Sequence, residues 1–356
     1  MLEPVREWLA GGAAEAAFVT SPVAIAYLTG YRGEAHERLQ ALVVRPESAT
    51  LIVPALDQEK ARAAVAGVEV AGWRDGEDPY LEVAAALGRG RLRLAVETEH
   101  LSLAGWERLD PLVEGGPVDV GAELRRLRAR KSTAELGLLT RAAEITDVVS
   151  ERLLDQVRSG QTELELAALL ARLMSEAAAD PAFSSLVQSG PNSALPHQVP
   201  TPRPVEAGDL LLLDFGAACG GYRADITRTV TIERADPRAR EIHALVLEAH
   251  DAAIATVRAG ITAGEVDTAA RAVIEKAGLG ARFIHRVGHG LGLEAHEAPS
   301  LDPGSKTVLE AGMVITIEPG VYIPGWGGVR IEDDLVVEAA GSRLLTSADR
   351  SLRVVG

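Results

Sequence analysis

At 356 residues the chain is long enough for two ordinary domains, each with its own core. Hydrophobic residues make up 47% and charged residues 24%, which are globular proportions, and no apolar run approaches the ~20 residues of a membrane span. The formal charge of −15 disfavours nucleic acid and anionic membranes, because both call for basic surfaces.

The opening "MLEPVREWLA" lacks the basic and apolar regions of a signal peptide. The single Cys219 has no partner for an internal disulfide. Both features predict a cytoplasmic protein. Residues 1–125 alternate short apolar runs with helical patterns. "ALVVRP", "ATLIVPA", "VEVAGW" and "RLRLAVE" read as strands; "LDQEKARAAVAG", "DPYLEVAAALG" and "SLAGWERLDPLV" read as helices. The alternation predicts an α/β domain with a mainly parallel sheet, and no glycine-rich phosphate loop accompanies it.

The basic stretch "ELRRLRARKS" marks the junction and reads as a solvated helix face. A long helix follows, with Ser132 and Glu135 as a capping box and Gly160 as the stop. Beyond it the chain repeats itself. "VRSGQTELELA" (157–167) resembles "VRAGITAGEVD" (257–267), and "VEAGDLLLLDFG" (205–216) resembles "LEAGMVITIEPG" (309–320). His197 in "LPHQVP" corresponds to His296 in "AHEAPS". So long a period indicates a duplicated domain, each half reading helix, helix, histidine loop, hairpin.

The duplication aligns Asp214 with Glu318, and each is followed by a second carboxylate, Asp225 or Glu332, on the next arm. A two-residue turn at Cys219-Gly220 would set Asp214 directly opposite Asp225, with Cβ atoms ~5 Å apart. Like charges so opposed destabilise a hairpin, so the four carboxylates require positive charge between them. Four carboxylates and a histidine describe a site for two divalent cations, with Mn(II), Co(II) or Zn(II) favoured over metals that prefer thiolates. The histidine candidates in "FIHRVGHGLGLEAHEAP" are His285, His289 and His296; glycines flank His289 and allow close backbone approach.

Residues 126–356 resemble the pita-bread metallopeptidases, which include methionine aminopeptidase, aminopeptidase P and prolidase. The resemblance rests on "SGPNSALPH", "LLLDFGAACGGYRADITRTV", "HRVGHGLGLEAHEAP" and "TIEPGVYIPGWGGVRIED", in that order. It implies an α+β pita-bread catalytic domain with an internal pseudo-twofold duplication, preceded by a creatinase/prolidase-like α/β domain. It also implies that Asp214, Asp225, His289, Glu318 and Glu332 hold two metal ions. A hydroxide between these ions would attack the peptide carbon while His296 stabilises the oxyanion and Glu318 shuttles a proton. His197 and His285 would line the pocket, Arg330 would support the site or receive a carboxylate, and Tyr322 would add a hydrogen bond.

"YLTGYRGEAHERLQAL" resembles a loop of bacterial Xaa-Pro dipeptidases that crosses a dimer interface. Here it would supply Glu34, His36, Glu37 and Arg38, with His36 or Arg38 binding the substrate's terminal carboxylate. The expectation is therefore a homodimeric, metal-dependent Xaa-Pro dipeptidase. Aminopeptidase P acting on longer peptides is the alternative, and a non-catalytic peptide-binding pita-bread protein is a further one.

Overall fold

A computed structural model describes residues 1–34 and 36–356. The chain divides into two compact units, Met1–Arg128 and Ala129–Gly356.

The N-terminal unit contains helices α1 (Glu3–Ala10), α2 (Pro22–Thr29), α3 (Gln58–Ala64), α4 (Tyr80–Leu87), α5 (Leu103–Leu109) and α6 (Gly121–Ala129). Strands β1 (Ala16–Val19), β2 (Ala41–Val44), β3 (Ala49–Pro54), β4 (Glu69–Trp73), β5 (Leu94–Val96) and β6 (Val118–Asp119) form one sheet in the order β4-β3-β2-β1-β5-β6. Three of its pairings are parallel, and the β1–β2 and β2–β3 pairings are antiparallel. The central strands β1, β2 and β3 are buried throughout, which accounts for their unbroken apolar runs. The basic stretch after residue 122 is not wholly a solvated face: Arg128 and Lys131 are buried, and Lys131 Nζ lies 3.3 Å from Glu297 Oε2. A buried ammonium needs such a partner, and its partner lies far away in sequence.

The second unit is built from two similar halves. The first holds α7 (Thr133–Leu154), α8 (Glu163–Glu176), β7 (Asp180–Pro181), β8 (Leu186–Ser189), β9 (Leu210–Phe215), β10 (Ala217–Cys219), β11 (Tyr222–Arg223) and β12 (Ile226–Ile232). The second holds α9 (Pro237–Thr256), α10 (Ala263–Lys276), β13 (His289–Gly290), β14 (Glu297–Ser300), β15 (Val314–Ile317), β16 (Gly320–Ile323), β17 (Gly327–Arg330) and β18 (Asp333–Glu338). Two short strands, β19 (Gly341–Leu344) and β20 (Val354–Val355), close the chain. The two main sheets run β20-β12-β9-β8 and β14-β13-β15-β18-β19.

Capping boxes start α7, α8 and α10: Ser132, Thr162 and Thr262 accept from the backbone N–H of Glu135, Glu165 and Glu265, whose side chains reach back. The turns leading into α8 and α10 are tied down alike, by single bridges between Thr162 and Pro204 and between Thr262 and Val308. Each half buries its own apolar cluster. One joins Leu153, Leu166 and Leu170 to Leu211, Leu213 and Phe215, and the other joins Val246, Val266 and Ala270 to Ile315, Ile317 and Leu335. Helices cover one face of each sheet, leaving the hairpin ends to converge.

Candidate metal and peptide site

In the first hairpin the ladder pairs Ile226 with Phe215 and Thr227 with Asp214. Asp214 therefore does not face Asp225 directly, as a Cys219-Gly220 turn would require. The turn is Gly220-Gly221 instead, flanked by the pair Cys219–Tyr222, with φ of 54° and 80°. Only glycine takes two successive left-handed positions at little cost, so the glycine pair wins the turn. The resulting displacement is two residues, which preserves side-chain parity. Asp225 stays on the face of Asp214 as its diagonal neighbour. In the second hairpin, Ile317 pairs with Asp333 and Gly320 with Arg330, a register that sets Glu318 opposite Glu332.

The hairpins lie against each other through short polar contacts. Glu332 N–H donates to Thr227 O (3.1 Å), and Arg330 N–H donates to Thr229 Oγ1 (3.2 Å). Thr227 Oγ1 donates to Glu332 Oε2 (2.6 Å) and accepts from Arg330 Nε (2.9 Å). The buried Arg330 guanidinium also donates to Tyr322 Oη (2.8 Å) and Asp214 Oδ2 (2.5 Å). It thus links three acceptors through separate N–H groups of one fork, a task suited to arginine rather than lysine. His285 Nε2 lies 2.9 Å from the same Tyr322 oxygen.

His289 sits on β13 with its backbone N–H on Thr316 Oγ1 (3.1 Å) and its Nδ1 near Gly290 O (3.1 Å). That contact fixes the ring and turns Nε2 towards Glu318 Oε1, 3.3 Å away. The His296 ring packs edge-on against it, with centroids 4.2 Å apart. Ligand atoms of Asp225, His289 and Glu332 all lie within 4.8 Å of one another. Burial, then Glu332, Asp214 and Asp334, push the Asp225 carboxyl well above its ordinary range. Burial and Glu318 do the same for Glu332. Glu318 rises to about 7, chiefly by burial, with Arg330 opposing the rise and Asp214 adding to it. His289 falls to about 3 through burial and the neighbouring His296, which leaves its imidazole neutral.

This donor set fits a divalent cation. Asp225 Oδ1 is buried with no hydrogen-bond donor, an arrangement that is costly unless a cation satisfies it. Neutral imidazole with crowded carboxylates is the ligand chemistry of Mn(II), Co(II) or Zn(II).

One cavity of about 880 Å³ is lined by Asp214, Asp225, His289, Glu318 and Glu332 together with His197, His285, His296 and Arg330. Tyr322 is buried behind that wall. His36 and Arg38 line a separate cavity of about 480 Å³ in the N-terminal unit. There Arg38 makes a two-pronged ion pair with Asp75 (2.9 and 3.0 Å) and a further bond to Glu37 (2.9 Å). His36 holds a left-handed φ of 47°, with Nε2 3.6 Å from Glu34 Oε2.

Several participants escape a reading of the sequence. Thr227 joins Arg330 to Glu332, and its one signal is a position two residues beyond Asp225, on the same face of the arm. Asp334 Oδ2 accepts from the Asp225 backbone N–H (2.9 Å), and Arg286 and Phe183 line the cavity. Asp267 on α10 accepts from Val287 N–H and from Arg271, which also donates to the carbonyls of Phe283 and His285. Apart from the i,i+4 spacing of Asp267 and Arg271, no local pattern brings these together.

Residues 137–339 match the model of metallopeptidase family M24. The chain belongs to that family. Residues 1–130 match the creatinase/prolidase N-terminal domain, so this M24 enzyme has the two-unit architecture of that domain joined to a pita-bread metallopeptidase. It is 37% identical to the Xaa-Pro dipeptidase of Lactobacillus helveticus, covering 99% of this chain and 98% of that protein. Among solved structures, the Xaa-Pro dipeptidase from Bacillus anthracis aligns with a TM-score of 0.93 at 32% identity, covering 99% of each chain. The X-Pro aminopeptidase from Thermotoga maritima aligns with a TM-score of 0.92 at 31% identity, covering 100% of this chain and 99% of its own. No described helix is long and apolar enough to cross a membrane.

Proposed function

We propose that this M24 enzyme is an Xaa-Pro dipeptidase working with two divalent metal ions. The observation that carries the metal assignment is the buried, donorless Asp225 oxygen within a 4.8 Å cluster with His289 and Glu332. The choice of a proline-directed dipeptide is supported by full-length similarity to a dipeptidase of that kind.

Asp214, Asp225, His289, Glu318 and Glu332 would hold the ions. Bound there, two ions supply a Lewis acid for the carbonyl and a water activated near neutral pH. Arg330 fixes Asp214 through its 2.5 Å bond and Glu332 through Thr227, so acids from both hairpins keep one geometry. Glu318, which burial raises to about 7 in the metal-free protein, would shuttle a proton to the leaving nitrogen. His296 donates to the oxygen that becomes negative, and His197 and His285 contact the departing residue. His285 is lowered to about 4 by burial and Arg330, so it enters as a neutral ring.

In the N-terminal unit, Arg38 would capture the terminal carboxylate by exchanging Asp75 for it, in a homodimer whose partner supplies the loop. Turnover of Ala-Pro and Ala-Pro-Ala after reconstitution with Mn(II) tests the reading. Cleavage of the dipeptide alone supports it, and cleavage of the tripeptide alone favours the aminopeptidase reading, for which the Thermotoga maritima similarity speaks. Arg38→Ala should raise KM for Ala-Pro with metal content unchanged; an unaltered KM would remove Arg38 from substrate binding.

A further inference from the structure

His197 reaches the cavity from the long connection between β8 and β9. Its side chain is exposed, so packing alone does not define its place. The backbone around it is held from below. Gln188, fully buried on β8, donates from Nε2 to Pro196 O (3.3 Å) and to Gln198 O (3.0 Å). Those are the carbonyls on either side of His197. Both neighbours are acceptors, which fixes the amide orientation, and Gln188 Oε1 is left buried without a donor.

The ends of the connection meet at Glu163, the fully buried first residue of α8. Its Oε1 accepts from Ser189 N–H (2.7 Å), Ser189 Oγ (2.8 Å) and Asn192 Nδ2 (3.0 Å). Its Oε2 accepts from Thr201 N–H (2.9 Å), Thr201 Oγ1 (2.6 Å) and Asn192 Nδ2 (3.2 Å). Burial alone would raise this carboxyl, but the donated bonds from Thr201 and Ser189 more than offset it and hold the group below its ordinary value. A glutamate so placed ties residues 189 and 201 to one point, and Gln188 fixes the middle.

We propose that Gln188 and Glu163 are positioning residues for substrate binding, clamping the backbone on both sides of His197 so that its imidazole faces the cavity. The proposal rests on the dipeptidase reading of that cavity. Being fully buried, neither residue touches a ligand, and each acts through His197.

Gln188→Met separates positioning from stability. It nearly conserves volume and removes both loop bonds together with the donorless oxygen, and the freed carbonyls, only partly buried, can turn to water. Loss of two neutral hydrogen bonds predicts a KM for Ala-Pro raised about fivefold, with kcat, metal content and melting temperature little changed. Glu163→Gln turns an N–H towards a backbone N–H of Ser189 or Thr201 and the Asn192 amide N–H, none of which can accept it, so a KM rise of about tenfold is expected. If that variant does not fold, Thr201→Val removes at nearly constant shape the hydroxyl that donates to Glu163 and accepts from Asn192 and the Arg203 N–H, and should raise KM about twofold.

In a His197→Ala background the Gln188→Met effect should vanish, because the two changes act on one contact. A second readout does not depend on turnover. In Zn(II)-loaded protein carrying 13C-labelled histidine, the His197 ring signal, assigned by its absence in His197→Ala, should be single in the parent and shifted or split in Gln188→Met. An unmoved signal, or a KM rise undiminished without His197, would overturn the proposal. Failure of the parent protein to cleave Ala-Pro would instead sink the dipeptidase reading, while the ring signal would still decide the clamp.

Discussion

The two halves of the catalytic unit share a frame and differ in how they use it. In both, the first helical backbone N–H groups reach the connection to the hairpin: Glu163 to Arg203 and Leu164 to Thr201, Ala263 to Thr307 and Gly264 to Ser305. The buried acid that holds each histidine segment is placed differently. In the first half it is Glu163, at the start of α8, and in the second it is Asp267, one turn into α10. The Ala263 position has no carboxylate, and Gly264 lets the backbone of residues 304–305 approach to where a Cβ would collide at 2.7 Å. The hairpin acids differ too, diagonal for Asp214 and Asp225 and opposed by register for Glu318 and Glu332. The duplication thus kept backbone pairing and side-chain parity and let the polar anchors move, because parity decides which acids share a face.

The strongest way to break this equivalence is to remove one buried acid from each hairpin. Asp225→Asn and Glu332→Gln should each lower kcat about a thousandfold and reduce bound metal, as measured by turnover and elemental analysis. If only one matters, the halves are not partners at the metal. The second-half anchor should also matter to stability. Asp267→Asn leaves Arg271 and the Val287 N–H without their carboxylate and should cost about 3 kcal/mol in urea unfolding. Stability equal to that of the parent protein would show that Asp267 does not hold the second histidine segment.

Arg330→Lys tests the link between halves. A lysine cannot serve Asp214, Tyr322 and Thr227 at once, so kcat/KM should fall about thirtyfold with the fold intact. The smallest effect concerns charge. Asp225, Glu332 and Glu318 are all raised in the folded state, so without metal the native protein binds protons that the unfolded chain releases. Metal-free stability should therefore fall as pH rises, for Glu318 across the window from 4.5 to about 7. Mn(II) should raise the melting temperature most at the upper end of that window, and an Asp225→Asn/Glu332→Gln double variant should lose the slope by about 1–2 kcal/mol. A melting temperature indifferent to Mn(II) would refute the repulsion account.

Much of this was legible before any coordinates. Capping boxes and the repeat are local or self-referential signals, and they announce α7, α8 and α10 and two matched hairpins. The turn falls one residue later than the sequence reading places it, because Cys219-Gly220 and Gly220-Gly221 both offer two-residue turns. The choice depends on backbone strain at the first turn position, which favours glycine over cysteine. Lys131 read as part of a solvated face because Glu297, its partner, lies far along the chain.

The sequence by itself determined the residue types of the site, their pairing across the duplication and the parity that puts each pair on one face. Those follow from chain periodicity, which is local. Tertiary structure alone decided that Arg330 spans both hairpins, that Asp225 keeps an oxygen without a donor, and that Gln188 and Glu163 hold the backbone beneath His197. Each of these depends on distances between segments from eight to more than a hundred residues apart, or on burial, and packing alone fixes both.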